Sequence, residues 1–202
     1  MSEIEVIGRH RVLCGDSTTG AVRTLMGDEK ADVVYTDPPW GQALLTSFAT
    51  MAKITPRLPW RGFVDELARV IVEAAKPGAP IFVEIGTRWE KDVLAAMGLY
   101  GMSLRRRWEV TYGPNKDPRP SLLLLFGADV EVTMPTPAHG EPVTRAALAA
   151  VVREGTVVLD PCTGLGMTAR VTHSLGGAFR GVELNPERLE RTAVWLRRKR
   201  LS

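Results

Sequence analysis

Two cysteines in 202 residues are too few for a disulfide framework, and Cys14 and Cys162 form no metal-spaced set. A metal site is therefore not expected. No apolar run approaches the roughly 18–20 residues that a membrane span needs. The opening, MSEIEVIGRHRVL, lacks a basic-then-apolar signal pattern, which predicts a cytoplasmic protein with no membrane partner. A net charge of +3 is no large excess of one sign, so an anionic partner is permitted but not demanded. With 45% hydrophobic and 24% charged residues, disordered and low-complexity chains are excluded. No repeat and no Gly/Ser linker divides the chain, and its length suits one domain over 1–202.

The cations are unevenly spread. Arg105, Arg106 and Arg107 form one knot, and Arg188, Arg191, Arg197, Arg198, Lys199 and Arg200 load the last helix. A solvated helix face is the ordinary reading of such a run. The sharper reading is contact with phosphates, which Lys and Arg neutralise with release of counterions. Arginine far exceeds lysine, a hint of a GC-rich bacterial or phage source.

Hydrophobic patterning alternates short apolar strands with helical periods. Strands are expected at 11–13, 31–35, 81–85, 156–160 and 178–183, and a hairpin pairs 104–112 with 122–126 across the turn GPNKDPRP. Helices are expected at 19–26, 61–76, 88–98, 143–153 and 164–175. A last one is capped by Asn185 with Pro186 at its first position. Residues 41–60 show no sustained period and read as a long loop, a candidate lid. Seven strands with helices between most of them imply a mostly parallel sheet, covered on both faces, with one antiparallel hairpin. Ligands of such sheets sit at the carboxyl ends of the strands. Three strand ends carry unusual chemistry there: Asp16, Asp37 to Trp40, and Asp160 to Gly164.

In VVLDPCTGLGMTA, residues 157–169, a strand runs into glycines and then a helix. Gly164 and Gly166 let the backbone turn and a ligand approach closely. Nineteen residues after Gly164 stands Glu183, placed to accept hydrogen bonds from ribose hydroxyls. The glycines alone also fit a dinucleotide fingerprint. Asp160 and Pro161 argue against it, because a pyrophosphate wants bare amides, whereas a methionine ammonium wants an acceptor. In Thr36-Asp37-Pro38-Pro39-Trp40, two prolines fix φ and hold rigid carbonyls. Asp37 and the Pro38 carbonyl can accept both hydrogens of an exocyclic amino group, and Trp40 can stack on the ring that bears it. Two such acceptors draw the nitrogen toward sp³ geometry and free its lone pair.

These residues resemble the amino-methyltransferases that methylate the exocyclic nitrogen of adenine or cytosine in DNA. Asp37-Pro38-Pro39-Trp40 is similar to their catalytic motif, and Asp160-Pro161-Cys162-Thr163-Gly164-Leu165-Gly166 to their methionine-binding loop. The catalytic motif comes first, as in the circularly permuted β class, and the resemblance spans residues 9–200. It implies a Rossmann-like methyltransferase fold with S-adenosylmethionine as cofactor. It further implies a place in restriction–modification and a DNA substrate, single-stranded or with a flipped base. Permutation would make Cys14-Gly15-Asp16 the fold's third strand, so that Asp16 matches the carboxylate on the cofactor's adenine amino group. Cys14 and Cys162 would then end strands separated by another, roughly 10 Å apart, with no bridge between them.

An Asp at the first motif position is more frequent in adenine-N6 enzymes, with cytosine N4 next. RNA or protein-glutamine methylation and a non-catalytic cofactor-binding subunit are the other readings. The chain departs from the family at Ala138-His139-Gly140-Glu141-Pro142. His139 keeps a cofactor role in this reading, but Glu141 stands where a lysine is usual. Little chain remains for a separate target-recognition domain, so specificity is low, very short, or supplied by a homodimer or a second subunit.

Overall fold

The strands form where apolar side chains alternate between two buried faces. In Leu122–Phe126 the even positions join one core cluster with Val34, Leu67 and Ile71, and Leu123 and Leu125 join another with Tyr35, Phe82 and Leu148. The computed structural model describes residues 3–113 and 116–200, with the backbone alone at Arg200. Its strands are β1 (Glu5–Ile7), β2 (His10–Cys14), β3 (Val33–Thr36), β4 (Ile81–Gly86), β5 (Leu104–Tyr112), β6 (Arg119–Phe126), β7 (Val157–Asp160) and β8 (Ala178–Glu183). The helices are α1 (Ala21–Met26), α2 (Gln42–Met51), α3 (Trp60–Ala74), α4 (Glu90–Leu99), α5 (Glu141–Val151), α6 (Met167–Ser174) and α7 (Pro186–Arg200).

One sheet has the order β1-β2-β8-β7-β3-β4-β6-β5. The five central strands β2, β8, β7, β3 and β4 are parallel, β6 is antiparallel to β4, and β5 to β6. The α/β class, the parallel centre and the hairpin agree with the sequence reading. β8 stands between β2 and β7, so Cys14, the last residue of β2, and Cys162, just past β7, belong to strands separated by one other. No helix among the described residues is long and apolar enough to cross a membrane.

Three details differ from expectation. The sheet has eight strands among the described residues, because Glu5–Ile7 pairs with β2 across a turn at Gly8. That strand has three residues and an exposed Val6, too short for alternation to register. Residues 41–60 are not one loop, since α2 fills half of them. Its threonines and serine are poor helix formers, and burial of Leu45 and Ala49 holds it against the core. The hairpin's second strand starts at Arg119 instead of Leu122, and Pro114 and Asn115 of the expected turn lie outside the described residues.

Candidate active site

Because β2, β3, β7 and β8 are parallel, their carboxyl ends open on the same edge of the sheet, which we call the carboxyl edge. There Asp16, Asp37 to Trp40, Asp160 to Gly164 and Glu183 line one cleft of about 350 Å³. The sequence brought these strand ends together in expectation, and the structure places them in one cavity.

The glycine loop is held from below. Thr163 N–H donates to the Val182 carbonyl (2.9 Å), and Thr163 Oγ1 to the Asp160 carbonyl (3.1 Å). Asp160 Oδ1 accepts from the Cys162 N–H at 3.0 Å. Glu183 ties the loop to the next helix, with Oε2 accepting from Gly164 N–H (2.7 Å) and Oε1 from Asn185 N–H (2.9 Å). Ser17 Oγ donates to the Pro161 carbonyl and links this loop to the end of β2. Asp16 lines the cleft and also caps the short turn after β2, with Oδ1 accepting from both the N–H and the hydroxyl of Thr18. Capping and cleft-lining are thus one position.

Gly166 serves helix packing. It is absent from the cleft wall, and at φ +78° a Cβ there would stand 2.5 Å from Thr192 Oγ1 on α7. Its missing side chain lets two helices meet. Gly164, at φ +57°, does face the cleft.

At the other end, Trp40 Nε1 donates to Asp37 Oδ1 at 2.8 Å. The Trp40 ring rests on Gly86, where a Cβ would lie 2.8 Å from it. Tyr112 flanks it with centroids 5.2 Å apart. Tyr112 lines the cleft and was not singled out from the sequence, although it ends a strand at the carboxyl edge. Glu84 was also missed, and the only charged residue in IFVEIG is a legible signal. It is buried and accepts from the Tyr35 hydroxyl at 3.0 Å, which in turn accepts from Thr144.

Burial and mutual repulsion raise the proton affinity of these carboxyls. Burial pushes Asp160 up to about 6 and Glu84 up to about 7. Asp37 is held well above the usual range by burial and then by Glu84, with the Trp40 N–H and Arg188 pulling the other way. Burial raises Glu183 as well. Among cations on the wall, the Arg188 guanidinium lies over the Phe48 ring at 4.8 Å, and Arg170 donates to the Leu165 carbonyl at 2.9 Å.

The remaining expected site residues lie elsewhere. His139 is outside the cleft wall, its Nδ1 2.9 Å from Thr111 Oγ1. Glu141 opens α5 and accepts from Arg145 (3.1 Å) and from Arg170 (3.4 Å). Arg105 and Arg106 begin β5 beside Phe126, which pairs with Ile81 at the start of β4. They are at the amino edge, opposite the cleft. Arg106 is paired with Asp129 and Arg107 with Glu90 and Glu109. Arg197 pairs with Glu5 and Glu190. Trp195 packs on His173, which is bonded to His10 at the start of β2, so Arg197, Arg198 and Lys199 have also reached the amino edge.

No protein-family model matches the sequence, and comparison with curated proteins finds no match. Solved structures do match. The chain is similar to M1.HpyAVI (TM-score 0.64, 15% identity), covering 92% of this chain and 97% of that one. It is similar to a protein from Thermus thermophilus assigned as a DNA modification methylase, complexed with S-adenosyl-L-methionine (TM-score 0.66, 16% identity, 94% of each chain). It is also similar to the cytosine-N4-specific PvuII DNA methyltransferase (TM-score 0.68, 14% identity, 92% of this chain and 85% of that one). At such identities the likeness is one of fold, and the fold is the Rossmann-like methyltransferase fold.

Proposed function

We propose that the chain transfers a methyl group from S-adenosylmethionine to an exocyclic amino nitrogen of a DNA base, adenine N6 first. The observation that carries this reading is the meeting, in one cleft, of Asp37 to Trp40 with the glycine loop and Glu183. We also read the motif order as a circular permutation, and residues 1–202 as one methyltransferase domain. In this reading the enzyme is cytoplasmic, of bacterial or phage origin.

The cleft fits the cofactor on two counts. Its volume falls within the range of small-molecule sites, about 300–1,000 Å³. Its crowded carboxyls favour a ligand bearing a sulfonium and an ammonium, whereas a pyrophosphate would add to their repulsion. Glu183 would hold the ribose hydroxyls, Asp16 the adenine amino group and Asp160 the ammonium. Arg170, steadied by Glu141, would take the carboxylate in place of the family's lysine. When bound, the cofactor supplies an electrophilic methyl group.

The chain's own residues do the rest. The Trp40 N–H occupies one Asp37 oxygen. The other Asp37 oxygen and the Pro38 carbonyl are left to accept the two amino hydrogens, which frees the nitrogen lone pair. As the nitrogen takes the methyl group it becomes positive, and one of its protons passes to Asp37. Burial and the Glu84 carboxyl raise the affinity of Asp37 for that proton. The base leaves the duplex stack to enter the corner formed by Trp40 and Tyr112.

Cytosine N4 presents the same amino group and is the second reading, favoured by the likeness to the PvuII enzyme. The test is transfer of label from methyl-tritiated S-adenosylmethionine to unmethylated genomic DNA, followed by nucleoside mass spectrometry. N6-methyldeoxyadenosine is expected, and N4-methyldeoxycytidine would select the second reading. Label that enters only RNA or protein would refute the DNA assignment.

A further inference from the structure

Resting on that reading, we infer that the nucleic-acid backbone is held at the carboxyl edge by Lys53, Arg57, Arg61, Arg88 and Arg119, and not by the arginine runs at the amino edge. The topology carries the argument. β3 ends at the cleft, and α2 follows with Leu44, Leu45 and Phe48 on the cleft wall. The Met51 carbonyl accepts from Asn185 Nδ2, just past the end of β8, so α2 finishes at the carboxyl edge. α3 opens at Trp60, with Phe63 on the cleft wall, and ends at Ala74, whose carbonyl accepts from Ala31 N–H just ahead of β3. Residues 52–61 therefore cross the carboxyl edge, carrying Lys53, Arg57 and Arg61. Arg88 lies in the turn directly after β4, and Arg119 opens β6 opposite Tyr112, on the cleft wall.

Charge separates the two edges. From Pro38 to Val64 the sequence holds those three cations and no carboxylate. All five side chains are exposed. Among the described residues Lys53, Arg57, Arg88 and Arg119 have no carboxylate within 4 Å, and Arg61 has only Asp92 at 3.6 Å. Arg106 and Arg197 at the amino edge, and Arg107 in the middle of β5, each already face carboxylates. Exposed Met51, Ile54, Tyr112 and Leu165 stand at the same edge, at the ends of α2 and β5 and in the connections beside them. Cations interleaved with apolar and aromatic side chains fit a strand whose phosphates are neutralised while its bases rest on apolar surface. A strand lying here delivers a base into the cleft directly, whereas one at the amino edge would be a sheet's height away.

The test uses the full chain and a fluorescent duplex oligonucleotide, with affinity read by anisotropy across a salt series. One variant combines Lys53→Ala, Arg57→Ala and Arg88→Ala, and the other Arg105→Ala, Arg106→Ala and Arg198→Ala. Calorimetric binding of S-adenosylhomocysteine checks that both retain the folded cleft. The carboxyl-edge variant should lose at least about tenfold in affinity, and its salt slope should fall by nearly one for each phosphate contact removed. The amino-edge variant should stay within about twofold of the parent. Parent-like binding by the first variant, or a large loss in the second alone, overturns the inference and leaves the methyltransferase reading standing. A parent chain that binds the cofactor but no DNA overturns both.

Discussion

Replacing Asp160 by asparagine should stabilise the protein while weakening its hold on the cofactor. The buried carboxyl is pushed from 3.8 to about 6, mainly by burial. A raised carboxyl affinity means that the native state binds the proton more tightly than the unfolded chain. The ionised group therefore costs stability progressively as pH rises from about 4 to about 6, and fully above that. At roughly 1.4 kcal/mol for each tenfold change in proton affinity, the cost at pH 7 is about 3 kcal/mol. Asparagine keeps the acceptor for the Cys162 N–H and removes the charge. Thermal unfolding at pH 7 should move up by about 2–4 °C per kcal/mol recovered. At pH 4, where the carboxyl is already protonated, the two proteins should nearly coincide. Calorimetric titration with S-adenosylmethionine should show a loss of at least about tenfold, since an ammonium loses its anionic partner. A variant no more stable at pH 7 than at pH 4, relative to the parent, would refute the electrostatic reasoning.

The same carboxyls make cofactor binding depend on pH. A cationic ligand favours the ionised Asp160, so affinity should rise through about pH 6 with proton release, visible as a buffer-dependent binding enthalpy. A flat profile from pH 5 to 8 would contradict the cluster's role. Arg170→Ala should weaken cofactor binding about ten- to a hundredfold, the worth of a hydrogen bond to a charged group, and an unchanged titration would remove Arg170 from the site. Gly166→Ala forces a side chain into a left-handed conformation and against Thr192, and should lower stability by about 1–3 kcal/mol in thermal unfolding.

What the sequence made legible was local. The Asp-Pro-Pro-Trp and Asp-Pro-Cys-Thr-Gly segments stand out because each breaks a buried strand with residues that no plain turn needs. The rule that parallel strands end together then assembles them. α2 was not legible because its stability comes from where Leu45 and Ala49 pack, not from its own threonine-rich composition. The arginine runs drew phosphate contacts as an expectation because sequence shows charge without its neighbours. A run displays its cations in sequence, but several of the carboxylates that face them, Asp129, Glu90 and Glu5, come from other elements. The isolated arginines of the carboxyl edge make no run at all. Glu84 was legible as the only charged residue of IFVEIG, whereas Tyr112 meets Trp40 only through the folding of the sheet.

In the proposed mechanism Asp37 orients the target amino group and takes its proton. Single-turnover methyl transfer to DNA by Asp37→Ala, beside calorimetric binding of S-adenosylmethionine, tests it most directly. Transfer should be abolished and cofactor binding retained. Near-parental transfer by that variant would contradict it.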